Sequence, residues 1–258
     1  MSYWATCWVA YRTIVTKEVL RFMRIWVQTV LPSPVTTVLY FVIFGRLIGE
    51  RIGTMDGLDY IDFIVPGLIL MAVLTNAYAN VVSSFYSSKF QRYVDELLIA
   101  PVPDWVILAG YVSGGVVRGL VVGFAVTLVS LFFTDLEVVH PLITLLVVLL
   151  TSVLFALGGL INAVFADSFD DISIVPTFVL TPLTYLGGVF YSITLLSELW
   201  QAVSLANPIL YMVNAFRYGL LGVSDIDIAV AFGIILGFIL LLTLFALFLL
   251  GKGVGIKS

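Results

Sequence analysis

The sequence predicts an all-α integral membrane protein of six transmembrane helices preceded by an amphipathic interfacial helix, and three observations carry that prediction. Six windows (25–45, 63–88, 105–134, 138–166, 172–197 and 228–251) contain no Asp, Glu, Lys or Arg, apart from Arg118. A hydrocarbon core about 30 Å thick needs roughly 20 apolar residues as a helix, and every window reaches that length. The composition is 61% hydrophobic and 11% charged, with a mean hydropathy of +1.14. Soluble domains carry about 25% charged residues. The whole chain, 1–258, therefore reads as one membrane domain. Basic residues are shared unequally between the two sides. Arg12, Lys17, Arg21, Arg24, Lys89, Arg92, Lys252 and Lys257 fall on one side, and Arg46, Arg51 and Arg217 on the other. The richer side is expected to be cytoplasmic, with both termini on it, as an even number of spans requires.

Residues 1–24 read as a helix lying in the interface. Trp4, Trp8, Tyr11, Val15, Val19 and Phe22 recur at steps of three or four, with Thr13, Lys17, Arg21 and Arg24 on a second face. Aromatics would sit in the acyl boundary and cations toward lipid phosphates. In the first span Pro32 and Pro34 each lack a backbone donor and predict a kink, and Gly45 and Arg46 are expected to end it. Residues 87–105, SSKFQRYVDELLIAPVPDW, follow the second span. Phe90, Tyr93, Val94, Leu97 and Leu98 form an apolar stripe at helical spacing, and Pro101 and Pro103 stop it. Two readings stand: an interfacial connector, or a helix that docks into a groove on another protein.

The third span carries Arg118, for which no carboxylate lies at matching depth in another span. A charge at depth costs roughly 3 kcal/mol and faces a partner or water. Asn76, Asn80, Asn162 and Tyr78 are its candidate neighbours. Arg118 either lines a translocation path and meets an anionic group, or is held by amides and carbonyls and orders the bundle. Gly115, Gly119 and Gly123 predict a close helix seam in the same span. The loop to the fourth span, about 134–140, is short enough for a hairpin and holds the chain's single histidine, His140, read as structural. Acids gather at span ends. Asp170 and Asp171 are expected to cap the fifth span. Residues 199–216 contain Gln201, Asn207, Pro208 and Asn214, and read as interfacial or re-entrant helices rather than a seventh crossing.

Several classes are excluded. No basic run points to nucleic acid. Cys7 is the lone cysteine, so no intrachain disulfide can form, and the first residues lack the pattern of a secretory signal. No GxxxxGK[ST] loop occurs; LLGKGVG at 249–255 has the wrong spacing. The chain is therefore not expected to bind or hydrolyse ATP by that route. The lack of acids within spans argues against a proton-coupled antiporter.

Three segments carry a resemblance: residues 87–105; TPLTYLGGVFYS at 181–192; and NPILYMVNAFRYGLLG at 207–222. In order and spacing the chain resembles the ABC-2 type transporter permeases, the membrane subunits of ATP-driven exporters, and among them inner-membrane permeases of Gram-negative bacteria. The resemblance implies a coupling helix within 87–103, with Lys89, Arg92, Asp95, Glu96, Leu97 and Pro101 at the docking surface and Glu96 at the family's acidic position. It implies an outer re-entrant segment over 193–226 with Asn207, Pro208 and Arg217. It also implies a homodimer in the bacterial inner membrane, bound to two copies of an ATPase that holds the ATP and magnesium. This chain itself would hold no cofactor or metal. An amphipathic, lipid-linked or drug-like compound would move outward. The rival readings are a secondary transporter and a non-transporting scaffold.

Overall fold

The computed structural model describes residues 2–255; for Arg46, Asp95 and Leu98 only the backbone is described. Lys257, counted above among the basic residues, lies outside this range. The elements run in order as α1 (Tyr3–Arg24), α2 (Trp26–Ile52), a small hairpin of β1 (Thr54–Met55) and β2 (Leu58–Asp59), α3 (Tyr60–Phe90) and α4 (Tyr93–Ile99). They continue as α5 (Asp104–Ser130), α6 (Pro141–Phe165), α7 (residues 171–185), α8 (Glu198–Leu205), α9 (Pro208–Leu221) and α10 (Ile228–Lys252). Among the described residues five helices, α2, α3, α5, α6 and α10, are long and apolar enough to cross a membrane.

Helix α3 is the axis of the bundle, buried along most of its length, with α5 and α6 packed on it. Small residues permit this close packing. A Cβ on Gly115 would stand 2.7 Å from Val81 Cγ2, and one on Gly159 only 2.6 Å from the Tyr78 carbonyl oxygen. In lipid, such close backbone approach is what holds helices together. Helix α10 is apolar all round and buries only Ala231, Ile235, Ala246, Leu249 and Leu250, so most of its surface faces outward.

Several expectations are corrected. The first span does not end at Arg46; its helix continues to Ile52 through wider π-helical turns over Phe41–Ile48. The expected kink is a break at Val30–Leu31, with Pro32 opening the next helical stretch, where its missing N–H costs nothing. The fifth window, 172–197, is not one helix. α7 contains Pro176 and Pro182, widens into a π turn over Pro176–Leu180 and ends at Tyr185, before the chain reverses at Gly188 (φ +70°). α7 still traverses the bundle. The chain before it touches Tyr86, and the turn after it packs Val189 on Gly67. Positions 67 and 86 lie about 28 Å apart along α3.

A further correction concerns α1. It packs on α5 and α3 through Cys7, Ile14, Glu18 and Phe22, a face between the two predicted ones. Gly110 and Gly114 of α5 lie directly under Ile14 and Glu18. Trp4 and Trp8 remain exposed, but Arg21 turns into the bundle rather than outward. The start of α7 also differs from expectation. Ser168 Oγ accepts from the Asp171 N–H, and Asp171 reaches back to the N–H groups of Asp167 and Ser168, both at 2.9 Å. This is a capping box led by Ser168. Asp170 makes no side-chain cap bond.

Candidate functional site

At one end of the bundle the chain leaves α3 and turns sharply at Arg92, whose backbone is left-handed (φ 61°), before α4 begins. The predicted stripe is thereby cut. Phe90 belongs to α3, while Val94 and Leu97 of α4 face the bundle. Tyr93, Glu96 and Ile99 face outward, and Ile99 is 85% exposed. Arg92 and Pro101 are exposed as well. Lys89 points elsewhere. Its Nζ donates to the Val164 and Ala166 carbonyls at 2.8 and 2.7 Å, a cation on the C-terminus of α6. The side chain of Asp95 is among those not described. A cleft of about 450 Å³ separates α4 from α1, lined by Thr13, Ile14 and Lys17 on one side and Tyr93, Glu96 and Leu97 on the other.

Two polar networks stand deeper. Arg118, 9% exposed, donates to the Asn76 Oδ1 at 3.0 Å and to the Thr29 carbonyl at 3.2 Å. The break after Thr29 places that carbonyl within reach. Of the four candidate neighbours, only Asn76 bonds Arg118. Asn162 donates to the Ile172 carbonyl at 3.3 Å and ties α6 to α7. Asn80 joins the second network, which the residue pattern alone does not bring to notice. Glu18 is fully buried. It accepts from Ser84 at 2.5 Å and Asn80 at 3.4 Å, and pairs with Arg21 at 3.3 Å, whose guanidinium also reaches the Asn80 Oδ1 at 2.8 Å. A signal is present in the sequence: Glu18 is the single acid before Glu50, and it lies four residues from both Ile14 and Phe22.

At the opposite end α9 opens on Asn207, whose side chain accepts from the Ile209 N–H at 3.0 Å and donates to the Leu183 carbonyl at 2.6 Å, with Pro208 in the first helical position. Arg217, 1% exposed, lies over the Phe63 ring at 3.8 Å and donates to the Gly188 carbonyl at 2.6 Å and the Phe63 carbonyl at 3.4 Å. It joins α9, the turn after α7 and the start of α3. Asp225 stitches the same region by accepting from Ser192 at 3.0 Å. His140 stacks on Tyr218 at 4.7 Å. Among the aromatics of the spans, Phe41 and Phe85 are fully buried and Tyr86 nearly so. Tyr40 and Tyr185 meet through their hydroxyls at 3.3 Å beside Phe190 on an accessible face.

The family model for ABC-2 type transporters matches residues 9–221. The chain is 58% identical over 251 residues to the inner membrane transport permease YadH of Escherichia coli (strain K12), covering 97% of this chain and 98% of that one. It is 22% identical over 227 residues to nodulation protein J of Rhizobium meliloti (strain 1021), covering 88% and 86% of the two chains. The family match takes in most of α1, the networks of Arg118, Glu18 and Arg217 and the exposed α4, and the chain belongs to the ABC-2 type transporter family.

Proposed function

We propose that the chain is the permease subunit of an ATP-driven exporter, two copies of which pair in a bacterial inner membrane and bind two copies of a separate ATPase. The observation that carries this reading is α4. It is a seven-residue helix with Tyr93, Glu96 and Ile99 facing outward, beside a cleft against α1. A short apolar-and-acidic helix seated on the bundle through Val94 and Leu97 suits docking into a groove on a partner. Residues 87–103 would then transmit closure of the ATPases to α3 and α5, which flank them in the chain. The α4 end is cytoplasmic in this reading, with both termini on that side. Residues 171–185 supply the sixth crossing, and 193–226 close the outer end. The family and the near full-length likeness to a protein named as an inner membrane transport permease support it. ATP and magnesium belong to the partner.

The test is affinity purification from native membranes in mild detergent. The wild-type chain is expected to bring down a stoichiometric protein bearing a phosphate-binding loop. Glu96→Arg should weaken that association at least tenfold, about 1.4 kcal/mol, while the permease stays inserted. Undiminished ATPase recovery with Glu96→Arg would sink the docking assignment. Absence of any ATPase from the wild-type preparation would favour a secondary transporter or a scaffold.

A further inference from the structure

Two adjoining cavities of about 200 and 160 Å³ lie between α2, α3 and α7 and share Met71 and Thr75. The larger carries hydroxyls from Ser33, Thr36, Thr37, Tyr40 and Thr75, and no charged side chain lines either one. These hydroxyls differ in what they offer. Thr36 and Thr37 donate to the Pro32 and Ser33 carbonyls, both at 2.9 Å, so their oxygens are left to accept. Ser33 is set the other way by a chain of bonds that starts at Arg118. A guanidinium can only donate. It therefore takes the oxygen of the Asn76 amide, and the amide nitrogen, held the same way by the Ala72 carbonyl at 2.9 Å, donates to Ser33 Oγ at 2.8 Å. The Ser33 oxygen is thus occupied from the bundle side, and its own proton meets no acceptor among the described residues. The Thr75 hydroxyl, on an exposed residue of α3, likewise makes no side-chain bond there.

The cavity therefore offers O–H donors at Ser33 and Thr75 and acceptor oxygens at Thr36 and Thr37, with apolar walls and no charge. At its edge the Tyr40 ring stands with Tyr185 and Phe190. Paired donors and acceptors beside an aromatic face suit a group whose every hydroxyl both gives and takes a bond and whose C–H face can stack. An anion would find no cation, because Arg118 stays behind Asn76. An ammonium group would find no carboxylate.

We propose that this cavity binds the neutral sugar or polyol part of a ligand, with Ser33 as the donor and Asn76 and Arg118 as the positioning residues that aim it. That the bound group is also translocated rests on the transport reading above; binding itself is measurable on the permease alone. Cys7→Ala removes the chain's one thiol, and Met71→Cys then places a single thiol in the cavity. In lipid nanodiscs, octyl glucoside below its micellar concentration should slow maleimide labelling at least fivefold. Octyl sulfate and octyltrimethylammonium should not, and Ser33→Ala should abolish the protection. Arg118→Lys, still a pure donor, should keep the protection. Arg118→Gln, which can offer Asn76 either oxygen or N–H, should lower it even where the variant melts at the wild-type temperature. Protection by free glucose would identify a soluble sugar as sufficient; protection by octyl glucoside alone would assign the site to a lipid-linked one. Saturation-transfer NMR on the unlabelled chain reads the same binding without a thiol. Equal protection by the charged amphiphiles, or sugar binding indifferent to Ser33→Ala in both measurements, would overturn the proposal. Sugar protection in a chain that recruits no ATPase would leave the site standing and remove the transport reading.

Discussion

Three ionisable side chains show how this chain accommodates such groups inside a bundle. Arg118 is held by neutral partners, Arg217 by carbonyls and an aromatic face, and Glu18 by a partly exposed arginine and two side-chain donors. Removing one partner of a buried pair leaves the other uncompensated, at a cost of several kcal/mol when both are buried. Arg21 is 29% exposed by side chain, which discounts that cost. Glu18→Ala is therefore expected to lower stability by about 2 kcal/mol, and Ser84→Ala by less, about 1 kcal/mol for one hydrogen bond; denaturant unfolding in nanodiscs would measure both. Arg217→Lys keeps the charge but loses the rigid fork that spans two carbonyls. Hydrogen exchange at residues 189–193 should then quicken at least tenfold, while exchange at the α4 end stays as in wild type. Unchanged protection there would mean that Arg217 does not hold the turn.

Among the helices, backbone approach matters more than side-chain size. Gly159 faces the Tyr78 carbonyl, and a Cβ there would lie 2.6 Å from an atom that cannot swing away. Gly159→Val should force α3 and α6 apart and cost about 2 kcal/mol, within the range for overpacking, read as a lower melting temperature of the purified chain. Gly158→Val is the control. The nearest atom to its added Cβ is a Tyr78 ring carbon at 3.9 Å, so the loss should be much smaller. The glycine spacing in 115–123 is legible as a seam from the sequence alone, because a small residue every four positions marks one helix face. The partner of that seam is not legible there, since nothing in the sequence distinguishes α3 from the other apolar windows as the buried axis.

Over the whole molecule, the decisive question is whether residues 171–185 cross the bilayer. In the Cys7→Ala background, Ser197→Cys should react with a membrane-impermeant maleimide added to intact cells. Glu96→Cys and Val254→Cys should react only after permeabilisation. Labelling of Val254→Cys in intact cells, with Ser197→Cys protected until permeabilisation, would remove the sixth crossing and the placement of both termini in the cytoplasm. The same pattern of ends governs the transport reading, because α4 must face the compartment that holds the ATPase.

The apolar windows by themselves determined that the chain is a helical membrane protein, since length and the absence of charge are linear properties that the bilayer reads directly. They also located α4, where a stripe and two prolines coincide, and the seam glycines of α5. Only the tertiary structure decided the rest. Val94 and Leu97 divided from the exposed Tyr93 and Ile99 because a left-handed Arg92 rotates α4 away from the α3 axis. Glu18 became a core residue because Gly110 and Gly114 let α1 approach α5 closely. Arg118 found Asn76 rather than Asn80 or Asn162 because the three amides, four and then many residues apart, point to different neighbours around the bundle. Which buried polar groups meet depends on helix rotation and contact distance, and those follow from packing across segments far apart in the chain.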